Sequence, residues 1–111
     1  MNEEIADRVV GRILELGYVN DREYALRKAR LMAEKGWGNF PIRLALMDLK
    51  IPEGLVDDAL NRVSKEFGEE ERITMLLEKR KGLEREKMIR FLTGRGFAFE
   101  KIFEILGGVD S

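Results

Sequence analysis

The side chains that most often carry catalytic chemistry are scarce in this sequence. Its 111 residues include neither histidine nor cysteine, so the usual nitrogen and sulfur ligands of zinc and other transition metals are missing. The commonest general base and the histidine-activated nucleophiles are missing for the same reason. Hydroxyl nucleophiles occur only at Ser64, Thr74, Thr93 and Ser111, apart from the tyrosines. This inventory predicts a protein that is not an enzyme.

Adjacent acidic residues are the strongest remaining candidates for acid–base chemistry or cation binding. Asp57 and Asp58 are neighbours, and three glutamates occupy positions 69–71. Successive residues of a helix point about 100° apart, so such neighbours do not converge on one ion. The three glutamates, at the predicted start of a helix, instead complement its dipole. We therefore expect no bound metal, no cofactor and no small-molecule substrate.

The elements that position these residues are all predicted to be helices. Apolar side chains recur at spacings of three and four along about seven segments, and no segment alternates as a strand would. Glycine-containing turns at 36–38 and 94–96 lack the spacing of a nucleotide-binding loop and are interpreted as helix caps. The first three segments are expected to bury Ile5, Val9, Ile13 and Leu16, then Tyr24, Ala25, Leu31 and Met32 after an Asn20 cap, then Ile42, Ala45, Leu46 and Leu49.

An internal repeat organises these helices. A shift of 46 positions, from 51 to 97, places the apolar pattern on itself without a gap. The division that follows is an orphan helix of a truncated first repeat at 1–19, then three-helix repeats at 20–66 and 67–111. Such units have marginal cores alone, so we predict that they stack into an elongated array. The superimposed pairs include Leu31 with Leu77, Gly36 with Gly82, Ile42 with Met88, Leu46 with Leu92, Ile51 with Phe97, and Val56 with Ile102.

Charge narrows the possible partners. Twenty basic and twenty-one acidic residues give a formal net charge of −1, so overall charge predicts no nonspecific attraction to polyanions. Each three-helix unit resembles a helix-turn-helix domain, but the two adjacent aspartates of one third helix disfavour reading of the DNA major groove. The local basic clusters are either balanced by neighbouring acids or contact an acidic protein groove or nucleic acid.

Charge and expected exposure select a set of partner-binding residues. Trp37 has two interpretations, as a seal between two helices or as an exposed interface anchor. The predicted set is Arg22, Tyr24, Arg27, Arg30, Trp37, Arg43, Lys87, Arg90 and Arg95.

The sequence carries no sign of export. Its first four residues are acidic and lack the basic start and apolar stretch of a signal peptide. No apolar run is long enough to span a membrane. We expect a cytoplasmic monomer with no membrane partner.

The order of the turns resembles that of the RecX family of regulatory proteins. Residues 16–25 resemble the family's G-Y-x-N/D-D-x-x-Y/F-A segment, and residues 35–38 with the helix at 42–51 resemble its next element. Residues 95–97 resemble its closing R-G-F motif. The resemblance covers nearly the whole chain in the right order. It departs in the two missing leading helices of the first repeat and in Lys50, where the family usually has glycine.

The resemblance implies both a fold and a function. Members of the RecX family consist of tandem three-helix repeats and regulate the RecA recombinase. The chain is thereby expected to bind the RecA–single-stranded-DNA filament, with DNA contacted through the filament, and to inhibit recombinase, ATPase and co-protease activities by contact. This would place it in recombination, DNA repair and the SOS response. Two alternatives stay open: a direct nucleic-acid-binding helical module, and a helical-repeat scaffold for another protein.

Overall fold

The computed structural model describes residues 21–107, and every regular element in that range is a helix. The helices are α1 (Asp21–Glu34), α2 (Asn39–Asp48), α3 (Glu53–Glu66), α4 (Glu69–Lys79), α5 (Arg85–Gly94) and α6 (Phe99–Leu106). The all-α prediction is confirmed. The predicted helix within 1–19, with Ile5, Val9, Ile13 and Leu16, and the predicted Asn20 cap lie outside the described residues.

The first core forms where α1 packs against α3. Two ion pairs join residues of α1 to residues 36 positions later in α3, so the two helices run in the same direction. The prediction that Tyr24 and Leu31 belong to the buried stripe of α1 is wrong, since their exposed fractions are 44% and 49%. The reason is that small side chains at spacings of four allow a close helix approach, and α1 buries Ala25, Ala29 and Ala33.

Helix α2 closes the first core and leaves a second apolar face in solvent. Ile42 and Leu46 are fully buried, as predicted. Leu49 was expected beside them but is exposed, because α2 ends at Asp48 and Leu49 is its C-terminal cap. Three large apolar residues at spacings of four and three also face solvent, and we call them the α2 outer face: Phe40, Leu44 and Met47.

A second core lies among α4, α5 and α6. Phe97, in the turn between α5 and α6, is buried within it. Residues 21–107 extend 56 Å along their longest axis and 25 and 20 Å along the other two. No helix within residues 21–107 is long and apolar enough to cross a bilayer. Besides Phe97, the buried apolar residues of the second core are Ile73, Leu76, Met88, Leu92 and Ile102.

Residues that lie 46 positions apart are buried alike in only part of the described chain. The first helices do not follow the 46-residue shift, since Leu31 is exposed and Leu77 is half-buried. The second and third helices, with the turns between them, do follow it. The pairs in which both residues are buried are Ile42 and Met88, Leu46 and Leu92, Ile51 and Phe97, and Val56 and Ile102.

The turns also match in backbone conformation. Gly36 and Gly82 have φ angles of +90° and +97°, and Gly96 has +90°. Lys50, which is equivalent to Gly96, has a φ of 65° and is the one non-glycine residue of the described range with a positive φ. The turn before Ile51 therefore keeps the left-handed conformation although it lacks glycine.

Candidate partner-binding surface

Two of the predicted contact residues, Arg22 and Arg30, are engaged within the first core's own helices. Arg22 donates a hydrogen bond to Asp58 at 2.9 Å. Arg30 donates two to the Glu66 carboxylate, at 2.8 and 2.6 Å. The hydrogen bond to Glu66 raises the pKa of Arg30, and the same bond lowers the pKa of Glu66. These arginines fit the interpretation of a basic face balanced by neighbouring acids.

A third predicted contact residue is engaged in the same way. Arg43 of α2 donates to Asp57 at 2.6 Å, while Asp58 holds Arg22 and lies 3.8 Å from Arg62. The two adjacent aspartates thus face different arginines and do not converge on one point, as predicted. Within residues 21–107 no cluster of three potential metal ligands occurs.

Four other predicted contact residues are exposed and available. Tyr24 and Arg27 lie on α1, and Lys87 and Arg90 lie on α5. None of the three cations makes an ion pair within the described residues. We call Arg27, Lys87 and Arg90 the unpaired cations, since their charge is not neutralised by a direct partner in that range.

The last two predicted contact residues, Trp37 and Arg95, meet where the first helical group, α1 to α3, adjoins the second, α4 to α6. The Arg95 guanidinium lies 4.5 Å from the centre of the Trp37 ring, within the range of a cation–π contact. Arg95 also donates to the carbonyl oxygen of Lys35 at 2.9 Å. Trp37 is half-buried. This geometry supports the interpretation of Trp37 as a seal between helices.

The two glycine-containing turns of the sequence meet at the same place. The Gly38 amide donates to the Arg95 carbonyl oxygen at 2.8 Å. A Cβ atom on Gly96 would lie 2.3 Å from the Cδ of Pro41. Sequence reasoning interpreted these turns separately as helix caps. The structure shows that they also allow the close approach of one helical group to the other.

Sequence reasoning missed Arg72, which is fully buried at this junction. Its Nε donates to the Phe67 carbonyl oxygen, and its Nη1 donates to the Trp37 carbonyl oxygen and to Oδ1 of Asn39, each at 2.9 Å. Burial lowers the pKa of Arg72. One sequence sign was present, because Arg72 lies four residues before Leu76 on the apolar stripe of α4. Arg72 therefore ties the start of α4 to the end of α3 and to the turn between α1 and α2.

Beside Arg95 lies a cleft with a volume of about 670 Å³. We call it the junction cleft. Among the described residues no carboxylate lines it, and five cations do: Lys35, Lys79, Arg80, Lys81 and Arg95.

Known proteins with similar sequences identify the family. The chain is 33% identical over 104 residues to the regulatory protein RecX of Vibrio cholerae, an alignment that covers 89% of this chain and 68% of that relative. The chain belongs to the RecX family. The regulatory protein RecX of Thermus thermophilus is 32% identical over 95 residues, covering 86% of the chain and 63% of the relative. That of Leuconostoc citreum is 33% identical over 112 residues, covering 90% and 41%.

No family model and no solved structure matches the chain. The family resemblance found in the sequence is confirmed by the relatives. Their shared description as regulatory proteins gives this RecX-family chain a regulatory role and is consistent with a function other than catalysis.

Proposed function

We propose that this RecX-family chain binds the filament of RecA recombinase on single-stranded DNA and inhibits its recombinase, ATPase and co-protease activities. The observation that carries the proposal is the 33% identity to a regulatory protein RecX over 89% of the chain. The ordered motifs of the sequence support it. A helical array 56 Å long also supports it, because a long surface suits the groove of a filament better than it suits a small substrate.

The contacts with the filament are proposed to come from the exposed, unengaged members of the predicted set. These are Tyr24 and the unpaired cations, whereas Arg22, Arg30 and Arg43 already hold acids of α3. Exposed pairs of this kind contribute little free energy, so their role is mainly to neutralise that face. The proposal includes the division into an orphan helix at 1–19 and repeats at 20–66 and 67–111, with a cytoplasmic monomer as the acting species.

The proposal is tested by titrating the chain into single-stranded-DNA-dependent ATP hydrolysis by a cognate RecA. We expect inhibition at less than one chain per recombinase subunit. The double variant Arg27→Glu, Arg90→Glu, called the face variant, should require a higher concentration, because it reverses two charges of the proposed contact. A matched control, Lys50→Glu with Lys65→Glu, makes the same change in net charge at exposed positions elsewhere and should inhibit as the wild type does.

Circular dichroism would establish that each variant is folded. A folded wild-type chain that never inhibits would refute the proposed function, and the scaffold alternative would then be favoured if it also bound no DNA. Unchanged inhibition by the face variant would refute these cations as the contact.

A further inference from the structure

The two helical groups do not share a hydrophobic core. Their buried apolar residues form two separate clusters, and the helices pack against one another mainly within each group. Between the groups, the start of α4 and the turn between α5 and α6 both bond to the turn that precedes α2. The relative orientation of the groups therefore depends on directional hydrogen bonds at their junction.

Arg72 of α4 supplies three of these bonds, and all of its acceptors belong to the first group. Phe67 is the C-terminal cap of α3 and packs against the first core, while Trp37 and Asn39 lie at the start of α2. Hydrogen bonds weaken steeply as they depart from linearity. Because a guanidinium is planar and rigid, three bonds from it to two separate elements allow only a narrow range of orientations between the groups.

Asn39 holds the acceptor side of this contact in place. Its Nδ2 donates to Oγ of Ser64 in α3 at 3.1 Å, and its backbone amide donates to Oε2 of Glu69 in α4 at 2.8 Å. Its Oδ1 accepts from Arg72, so this one residue is bonded to both groups. We call these four residues, Asn39, Ser64, Glu69 and Arg72, the junction network.

Packing alone does not require an arginine at position 72. The residue 46 positions earlier is Leu26, which packs against the first core. Arg72 is fully buried, and its Nη2 has no hydrogen-bond partner within residues 21–107. A buried polar atom without a partner costs free energy, and an apolar side chain of similar volume is often at least as stabilising at such a site. The three bonds to the first group, which leucine cannot make, are what the arginine adds.

We propose that Arg72 is a positioning residue, which fixes the orientation of the second helical group relative to the first and so presents their contact residues as one surface. The unpaired cations are divided between the groups, since Arg27 lies on α1 and Lys87 and Arg90 lie on α5. Two surfaces held at a fixed angle bind one partner more tightly than the same surfaces on a loose link. The role in binding rests on the proposed function, whereas the fixed orientation does not.

The orientation is measured by double electron–electron resonance between spin labels on the full chain. The sequence has no cysteine, so Asn61→Cys on α3 with Glu86→Cys on α5 places one label in each group at exposed positions. Arg72→Met keeps a long side chain but removes the three bonds, so the distribution of distances between these labels should broaden or shift. A pair within the first group, Glu23→Cys with Asn61→Cys, should keep its distribution when Arg72 is replaced.

Inhibition of the recombinase ATPase gives the second readout. With Arg72→Met the half-inhibitory concentration should rise about tenfold, since avidity between two linked surfaces reaches roughly 10²–10⁴ and a loose link keeps part of it. Arg62→Met makes the same replacement at an exposed position of α3 and should leave both readouts unchanged. Asn39→Ala, which removes one acceptor of Arg72, should broaden the distribution between the groups to a smaller extent, and it takes over the test if circular dichroism shows Arg72→Met to be unfolded.

Three results would overturn the inference. The first is a wild-type distribution of distances between the groups in the folded variant. The second is equal broadening for the pair within the first group, which would indicate a general loosening of the fold. The third is a changed orientation with unchanged inhibition, which would show that the orientation does not position the contact. A wild-type chain that never inhibits would refute the proposed function and the role in binding together, and the distances would still decide whether Arg72 fixes the orientation.

Discussion

The turn before Ile51 and the turn before Phe97 have the same backbone conformation and different surroundings. Lys50 and Gly96 have φ angles of 65° and 90°, and the apolar residue after each is buried. Gly96 lies against Pro41 of the neighbouring helical group, at a distance that leaves no room for a Cβ atom. Lys50 lies in solvent.

This difference separates two reasons for glycine in such a turn, a left-handed backbone conformation and a close contact that leaves no room for a Cβ atom. The left-handed conformation costs a non-glycine residue about 1–2 kcal/mol, which a folded domain can tolerate. A Cβ atom 2.3 Å from Pro41 cannot be tolerated without movement of the backbone. Lysine at position 50 is therefore compatible with the turn before Ile51, which has no equivalent of the Gly96–Pro41 contact within residues 21–107. The repeat conserves the shape of the turn, while the contact between groups determines where glycine is indispensable.

The largest expected effect comes from the apolar residue that follows the close-contact turn. Replacement of Phe97 by Ala should lower the free energy of unfolding by about 3–5 kcal/mol, because it leaves a cavity in the second core. Urea denaturation would measure this loss. Phe40→Ala removes the same atoms from an exposed position and should change stability little. If both variants melt like the wild type, Phe97 is not buried and the comparison of the two turns fails.

Replacement of Gly96 by Ala tests the close contact itself. We expect a loss of about 1.5–4 kcal/mol, the sum of about 0.5–1 for the left-handed conformation, net of unfolded-state entropy, and about 1–3 for overpacking against Pro41. Gly82 has a similar φ angle, but a Cβ there would meet nothing within 4 Å. Gly82→Ala should therefore cost only about 0.5–1 kcal/mol, because about 1–2 kcal/mol of left-handed strain is partly offset by about 0.5–1 kcal/mol of entropy removed from the unfolded state. Equal losses in the two variants, measured by the same denaturation, would mean that the contact with Pro41 is not tight.

Replacement of Lys50 by Gly should stabilise the chain. Relief of about 1–2 kcal/mol of left-handed strain is partly offset by about 0.5–1 kcal/mol of added entropy in the unfolded state. A net gain of roughly 0.5–1 kcal/mol follows. Lys50→Ala removes the same charge but keeps a Cβ atom, so it should give no gain. A loss of stability in Lys50→Gly would show that the lysine side chain makes a contact that its exposure conceals.

The smallest expected effect concerns the Arg30–Glu66 ion pair, which joins α1 to α3 at 2.6 Å, closer than the 3.8 Å between Lys101 and Glu70 in the second group. The lowered pKa of Glu66 means that its pair with Arg30 stabilises the fold above the unfolded pKa of glutamate, about 4.3, and that this contribution is lost as the pH falls through the folded pKa. Both groups are exposed, so the effect is small. Glu66→Gln should flatten the acid side of the wild-type stability profile slightly, and an unchanged profile would show that the pair contributes nothing.

Much of the fold follows from spacing alone. The positions of the six described helices, the glycine caps and the equivalence of Ile51 and Phe97 all came from apolar periodicity and turn residues. The buried face of α1 could not be predicted in this way. Alanine is only weakly hydrophobic, so the larger Tyr24 and Leu31 led to the wrong face being assigned as buried. Three alanines at spacings of four were the better guide, since they allow two helices to approach closely.

The candidate surface was less predictable, because it depends on which charges meet in space. Arg22, Arg30 and Arg43 lie 14 to 36 residues from their acidic partners, so no local pattern could pair them. The junction cleft likewise combines the end of α1 with the ends of α4 and α5. The burial of Arg72 was not predicted, because a fully buried arginine is rare.

The most direct test of the central claim is co-sedimentation of the chain with RecA filaments assembled on single-stranded DNA with a slowly hydrolysed ATP analogue. If the chain binds the filament as proposed, it pellets with the filaments, saturates at a fixed ratio to the recombinase, and stays in the supernatant with RecA alone. A folded chain that remains in the supernatant at every filament concentration would contradict the proposal.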